Sequence, residues 1–481
     1  MRTHFVPATF AAIALLVQGA YAQTPEERST LADQREVVVT IYNNNLALVK
    51  DQRRIQLKTG SSALAFRDVS ARIRPETALL RSISAPGALR VQEQNFDFDL
   101  LTPQKLLEKY VGQTVNVVRT NPATGADTTE TATVLSANNG VVLQIGQRIE
   151  TGMPGRLVFG NVPATLRDRP TLVMSLENTA AAVQDVELSY LTTGLAWKAD
   201  YVVELNAEDD RLDMSGWVTL TNTSGASYRN ARLQLVAGDV NQVAPEVAQR
   251  GRVVMMAAPS MAKAANDVAQ ESLFEYHLYT LNRPTTIAEN QTKQVSLLSA
   301  NGVPARKELL LRGSDYYYQS SVGELGQKMK VAVFVEFDNK ESARLGMPLP
   351  KGVIRVYKKD AVGNAQFIGE DRIDHTPKGE KVRLKLGDAF DVTADKKQTD
   401  FKSLGKSGRF NSTFESAYEI VLKNAKKEAT VVTVQEPMPG DWQVTSSSQP
   451  HTKGASNTAI WNVSVPAEGQ TVLTYRALVR Y

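Results

Sequence analysis

The 481-residue chain contains no cysteine. Thiol nucleophiles, disulfide exchange, cysteine-ligated metals and a lipid-modified N-terminal cysteine are excluded with it. Histidine is nearly as scarce. His4, His277, His375 and His451 are the full set, and no two lie close in sequence. HExxH, GxSxG and phosphate-binding P-loop patterns are absent. The chain also lacks a strong charge of either sign, with 55 Lys and Arg against 51 Asp and Glu. These charges are interspersed, which describes a solvated surface and excludes a nucleic-acid footprint. Beyond the N-terminus no apolar run approaches the roughly 20 residues of a membrane-spanning helix.

What is present begins with an export signal. Arg2 gives a positive start, an apolar run follows from Phe10 to Val17, and Ala20-Tyr21-Ala22 supplies a small-x-small cleavage pattern. Residues 1–22 are therefore expected to be a signal peptide cleaved after Ala22. Export without disulfides in a chain of this length points to a bacterial route, with the protein in the periplasm or outside the cell.

The rest reads as mainly β, with few helices and enough length for about two to four domains. An N-terminal β domain is expected over 36–168. It contains a short helix that Thr102 and Pro103 start and Gly112 ends. It also contains five short strands over about 113–160, which predict a small inserted β-barrel. Longer alternating strands over 169–243 predict an antiparallel, immunoglobulin-like β-sandwich. Residues 244–270 are rich in Ala and Met, lack alternation, and are expected to form a mobile linker. Residues 271–481 return to the strand pattern and predict a C-terminal β-sandwich region.

The segment GLAWKADYVVEL, residues 194–205, contains Trp, Lys, Asp and Tyr within five positions. Written with period two, Leu195, Trp197, Ala199, Tyr201, Val203 and Leu205 share one face, and Lys198 and Asp200 fall on the other. Side chains alternate across a strand, so this is the inner face of a half-buried sheet and not a site.

TTGLAWKADYVVEL and the following GWVTLTNTSGASYRNARLQLVAGDV, with EYHLYTLNRPTTIAENQTKQVSLL and IGEDRIDHTPKGEKVRLKLGDAFDVTAD, resemble a domain of unknown function found in mucoidy-inhibitor-like bacterial proteins. The similarity runs over roughly residues 170–481. The resemblance implies an exported, β-rich envelope protein and brings no catalytic residues with it. The chain departs from the mucoidy inhibitors in having no sustained heptads.

Three places invite a chemical reading. In GEDRIDHTP, Asp371, Asp374 and His375 could hold a metal or orient an imidazole, although their spacing matches no defined metal site and a charged strand end has the same letters. In GDAFDVTADKK, Asp388, Asp391 and Asp395 are spaced unlike an EF-hand loop and read as a polar loop. In SDYYYQ, a strand would put Tyr316 and Tyr318 on one side, a platform for a sugar or a protein partner. No catalytic residue, metal or cofactor is assigned. The expected function is an exported envelope protein of structural or binding role that recognises a protein or glycan. Two other classes remain beside it: a hydrolase with a site assembled between domains, and an outer-membrane β-barrel that the alternating Leu473–Tyr481 segment would close.

Overall fold

The computed structural model describes residues 26–481 other than Asn44, Ala164, Ala181, Ala182, Asp239, residues 243–267, Phe274, Glu275 and Ser456. The expected signal peptide at 1–22 and most of the expected linker at 244–270 lie outside the described residues. The last residues of that span, from Val268, begin the Val268–Leu273 strand. Among the described residues the chain is mainly β, with several sheets and no closed barrel. Two units separate: residues up to Val37 with Val49–Leu191, and Val38–Leu48 with Thr192–Tyr481.

In the first unit, a four-stranded sheet has the order Glu26–Ser29, Gly60–Arg67, Thr171–Asn178, Leu89–Asp97. Leu172 lies opposite Phe66 and Met174 opposite Leu64, and all four are buried. A second sheet contains the five short strands read from the sequence, but it is open and the expected small barrel at 113–160 is corrected. Its edges are Arg148–Thr151 and Arg156–Val158. Strands of four and three residues carry too few main-chain groups to close a seam, and Arg148, Glu150 and Arg156 put charge on both edges. A helix covers the sheet instead. Thr102 Oγ1 accepts the N–H of Lys105 at 3.1 Å at the start of the Pro103–Lys109 helix. Leu107 and Tyr110 pack on Val115, Val117, Val134 and Leu143.

In the second unit, Leu195–Leu205 pairs antiparallel with Arg211–Asn222 and parallel with Gly352–Lys359. The six residues assigned to its inner face are all buried, each worth roughly 1–3 kcal/mol of apolar burial for the larger side chains. On the other face Lys198 is exposed, but Asp200 is covered. Its carboxylate accepts from Thr219 Oγ1 at 2.8 Å and from Arg355 at 3.1 Å. The pairing continues through Gln291–Arg312, Glu324–Asp338, Lys381–Ser407, Phe410–Asn424 and Gly469–Arg480. Apolar side chains of the last two strands meet those of Thr430–Pro437 and Thr458–Val465 in one cluster that includes Tyr418, Tyr475, Val434 and Trp461.

Candidate functional site

The Lys381–Ser407 strand alternates with its apolar residues at even positions: Val382, Leu384 and Leu386, then Val392 and Ala394. Simple alternation would place Phe390 inside with them. The pairing with Glu324–Asp338 breaks twice before that happens. Phe334 opposes Lys385 and Val333 opposes Gly387, which leaves Leu386 unpaired. Ala332 then opposes Asp388 and Lys330 opposes Thr393, so residues 389–392 face Val331 alone. Surplus residues on one strand of a pair bulge outward and re-aim their side chains. Gly387 takes φ 143°, a backbone open to glycine and strained for other residues. The bulge turns Phe390 out of the core, where it is 95 % exposed.

Beside Phe390 lies a groove of about 310 Å³. Leu205, Ile368 and Leu386 give it an apolar floor, and Lys307, Lys358 and Lys426 bring three cations to its wall. Asp209 organises two of them. It sits in a turn with φ 60°, and Asn206 Oδ1 fixes that turn by accepting the N–H groups of Asp210 and Arg211 at 3.1 and 3.0 Å. The Asp209 carboxylate accepts from Lys307 Nζ at 2.6 Å and from Lys358 Nζ at 2.5 Å. Burial works to raise the Asp209 pKa. The two lysine hydrogen bonds outweigh it and hold the carboxyl below its ordinary value. Asp209 is thus ionised at neutral pH, the wrong state for a general acid.

Lys426 is different. Its main-chain N–H is bonded to Asn424 Oδ1 at 3.0 Å, but its ammonium has no hydrogen bond or ion pair among the described residues. Burial, then the nearby charge of Lys307, pulls its pKa down. Asp388 is held only loosely, 3.5 Å from Lys330 and 4.0 Å from Lys385. The groove therefore combines an exposed aromatic face, an apolar floor and charged groups with unused hydrogen-bonding capacity. That combination binds amphipathic small groups.

The residues singled out in the sequence fall elsewhere. Asp371 is spent on main-chain contacts, accepting the N–H of Arg372 at 2.8 Å and of Lys385 at 2.7 Å. Asp374 is exposed, and its main-chain oxygen accepts from Thr376 Oγ1 at 2.8 Å. His375 Nδ1 accepts the N–H of Lys351 at 3.2 Å, and Nε2 lies 3.4 Å from Asn43 Nδ2. The three do not converge, and among the described residues no three His, Asp or Glu side chains gather as metal ligands. Asp395 parts from Asp388 and Asp391 to pair with Lys423.

The tyrosine platform is corrected. Asp315–Tyr318 is a 3-10 turn and not a strand, so side chains two apart diverge instead of sharing a side. Tyr316 is 56 % exposed while Tyr318 is fully buried, with its hydroxyl donating to Glu436 at 3.0 Å. Glu436 also takes Lys396 Nζ at 2.6 Å on each oxygen, with both side chains buried. The Lys396 ammonium lies 4.4 Å from the centre of the Tyr317 ring and 5.1 Å from that of Tyr418. Gly313 makes room for the pair, since a Cβ there would sit 2.1 Å from Glu436 Oε2.

Phe390, Asp209, Lys307, Lys358 and Lys426 belong to no motif in the sequence. The one local signal was Gly387 inside an otherwise regular alternation, which marks a bulge. A search of curated proteins found no match. The family described as Domain of unknown function (DUF4139) matches residues 186–481, more than half of the chain and every residue of the groove, and the protein belongs to that family.

Proposed function

We propose that the protein is an exported component of the bacterial envelope with a binding role, and that the groove beside Phe390 receives a glycan. The carrying observation is Phe390 itself. A fully apolar ring held 95 % in solvent at the mouth of a groove by a bulged strand gains nothing from burial and serves no core. Sugar rings present C–H faces that pack on an aromatic face, and hydroxyls that both donate and accept. Asp388 and Asp391 offer acceptors, and Lys426 offers an ammonium that lacks a partner among the described residues. The mixed signs favour a hydroxyl-rich ligand over a simple anion or cation.

Export is supported by Arg2, the Phe10–Val17 run and the Ala20-Tyr21-Ala22 motif. An immunoglobulin-like sandwich for the C-terminal strands is supported by the single apolar cluster shared between Phe410–Asn424, Gly469–Arg480, Thr430–Pro437 and Thr458–Val465. Titration calorimetry of the secreted chain against soluble envelope glycan fragments tests the binding. The reading expects binding that is lost in Phe390→Ala. Undiminished binding by this variant, or capture of an envelope protein in place of any glycan, would overturn it. Fractionation with the mature N-terminus read by mass spectrometry tests export, and a species starting at Gln23 is expected.

A further inference from the structure

The Lys381–Ser407 and Phe410–Asn424 strands form a hairpin that outruns its neighbours. Glu324–Asp338 accompanies it only to Lys397, and Gly469–Arg480 only to Thr413. Past Gly405 opposite Thr413 only the two strands and the main chain of Tyr481 remain, and Ser407 opposite Phe410 closes the turn around Gly408 at φ 56°. Its stem is stiffened by Phe401, whose ring stacks on Phe414 at 5.7 Å.

The tip has an unusual composition. From Phe401 to Phe414 it carries Lys402, Lys406 and Arg409 and no acidic residue. Lys402 belongs to the stem, where it lies 3.5 Å from Asp400 and 4.0 Å from Glu415. Arg476 reaches the same two carboxylates at 2.8 and 3.2 Å, so the base of the hairpin is neutral. Lys406 and Arg409 have no ion pair among the described residues, and every residue from Lys402 to Arg409 is exposed. Leu404, on the Lys381–Ser407 strand level with the end of Gly469–Arg480, is 52 % exposed.

We infer that the side of this hairpin docks on an anionic lipid surface, with Leu404 entering the acyl boundary and Lys406 and Arg409 in the headgroup layer. An exposed apolar residue beside two cations without ion pairs, Arg409 resting only on the Phe410 ring, is the arrangement that such a surface rewards. The long stems of Lys and Arg reach headgroups while the apolar residue lies deeper. A soluble polyanion would use the cations and leave Leu404 without a role. Each cation contributes on the order of fivefold in affinity near an anionic membrane, so the contact is weak and reversible.

Co-sedimentation of the full chain with vesicles tests this inference. The probes are phosphatidylcholine alone and phosphatidylcholine mixed in equal parts with phosphatidylglycerol. Binding is expected to the mixed vesicles only, and to weaken as salt is added. K406E/R409E should lose affinity by on the order of tenfold per reversed charge with an unchanged melting curve. A Leu404→Trp variant should show an emission shift to the blue on the mixed vesicles. Undiminished binding by K406E/R409E, an unshifted Leu404→Trp emission, or binding to a soluble acidic polysaccharide without vesicle binding would each overturn the inference. Phe390→Ala should bind vesicles as the parent does, which separates this surface from the groove.

Discussion

Two lysines of the second unit have been taken out of water to different ends. Lys396 is fully buried, and the chain supplies all it needs: both oxygens of Glu436 at 2.6 Å and the faces of Tyr317 and Tyr418. Lys426 is half-buried at the groove, and its ammonium has no bonded partner among the described residues. Burial is the main cause lowering the pKa of each. Beyond that they diverge. The next influence on Lys396 is the attraction of Glu436, which opposes the fall, and the next on Lys426 is the repulsion of Lys307, which adds to it. A charge whose partner is built into the core specifies structure. A charge left with an unmet requirement beside an exposed aromatic ring is a feature that a ligand can use.

The sharpest way to break this comparison is to remove the internal partner. Glu436→Ala leaves the Lys396 amine without its partner in the core and also strands the Tyr318 hydroxyl's second bond. A loss of about 3–5 kcal/mol is expected from urea unfolding, as for other buried pairs broken on one side. In K396M/E436Q, methionine removes the charge and glutamine keeps an acceptor for Tyr318, so most of that loss should return. If the double variant is as unstable as the single one, the pair matters for more than charge balance.

The groove should behave in the opposite manner. Phe390→Ala removes a ring that packs on almost nothing, so stability should stay within about 0.5 kcal/mol. Glycan affinity should fall by about 2 kcal/mol, near thirtyfold, if the ring is the anchor. A large loss of stability in place of affinity would make Phe390 a structural residue and dissolve the contrast with Lys396.

How much of this could be read in the sequence depended on whether alternation survived. In Leu195–Leu205 it does, and every inner residue was placed correctly, with only the cover that Arg355 gives Asp200 left out of view. Lys396 also follows the rule, standing in step with Val392 and Ala394, while Glu436 stands in step with Val432 and Val434. Period two thus puts both charges inside. It cannot show that residues 40 positions apart meet. Phe390 was hidden because the surplus residues of the bulge suspend the alternation, and a bulge is set by the partner strand's register. Tyr318 departs from the expected platform because Asp315–Tyr318 forms a 3-10 turn and not a strand. The groove's cations come from two separate strands and a bend, so no local spacing announces them.

A smaller effect tests how Asp209 holds its two lysines. Its carboxyl is kept below the ordinary value, so its contribution to stability is complete above the unfolded pKa of about 3.9 and disappears as pH falls through the lower folded value. Asp209→Asn should therefore cost about 1 kcal/mol at neutral pH, and the difference between the two proteins should shrink toward zero as the solution is acidified below that range. A gap that stays constant with pH would mean that Asp209 acts through the geometry of its turn, which Asn would keep only in part, and not through charge.

The smallest expected change has the reverse sign. Lys426→Met keeps the length and apolar stem of the side chain and removes an ammonium that burial and Lys307 both disfavour. Nothing bonded is lost within the described residues, so the variant should unfold at slightly higher denaturant, a gain of up to about 0.5 kcal/mol. Glycan affinity should fall at the same time, by about tenfold for the loss of one hydrogen bond to a charged donor. The pairing of the two results is what decides. A gain in stability with unchanged affinity would show that Lys426 is merely tolerated. A loss of stability would show that its charge is already balanced by the longer-range pull of Asp391 and Asp209, and that it belongs with Lys396. A gain together with weakened binding would show a residue kept at some expense to the fold because the ligand needs it.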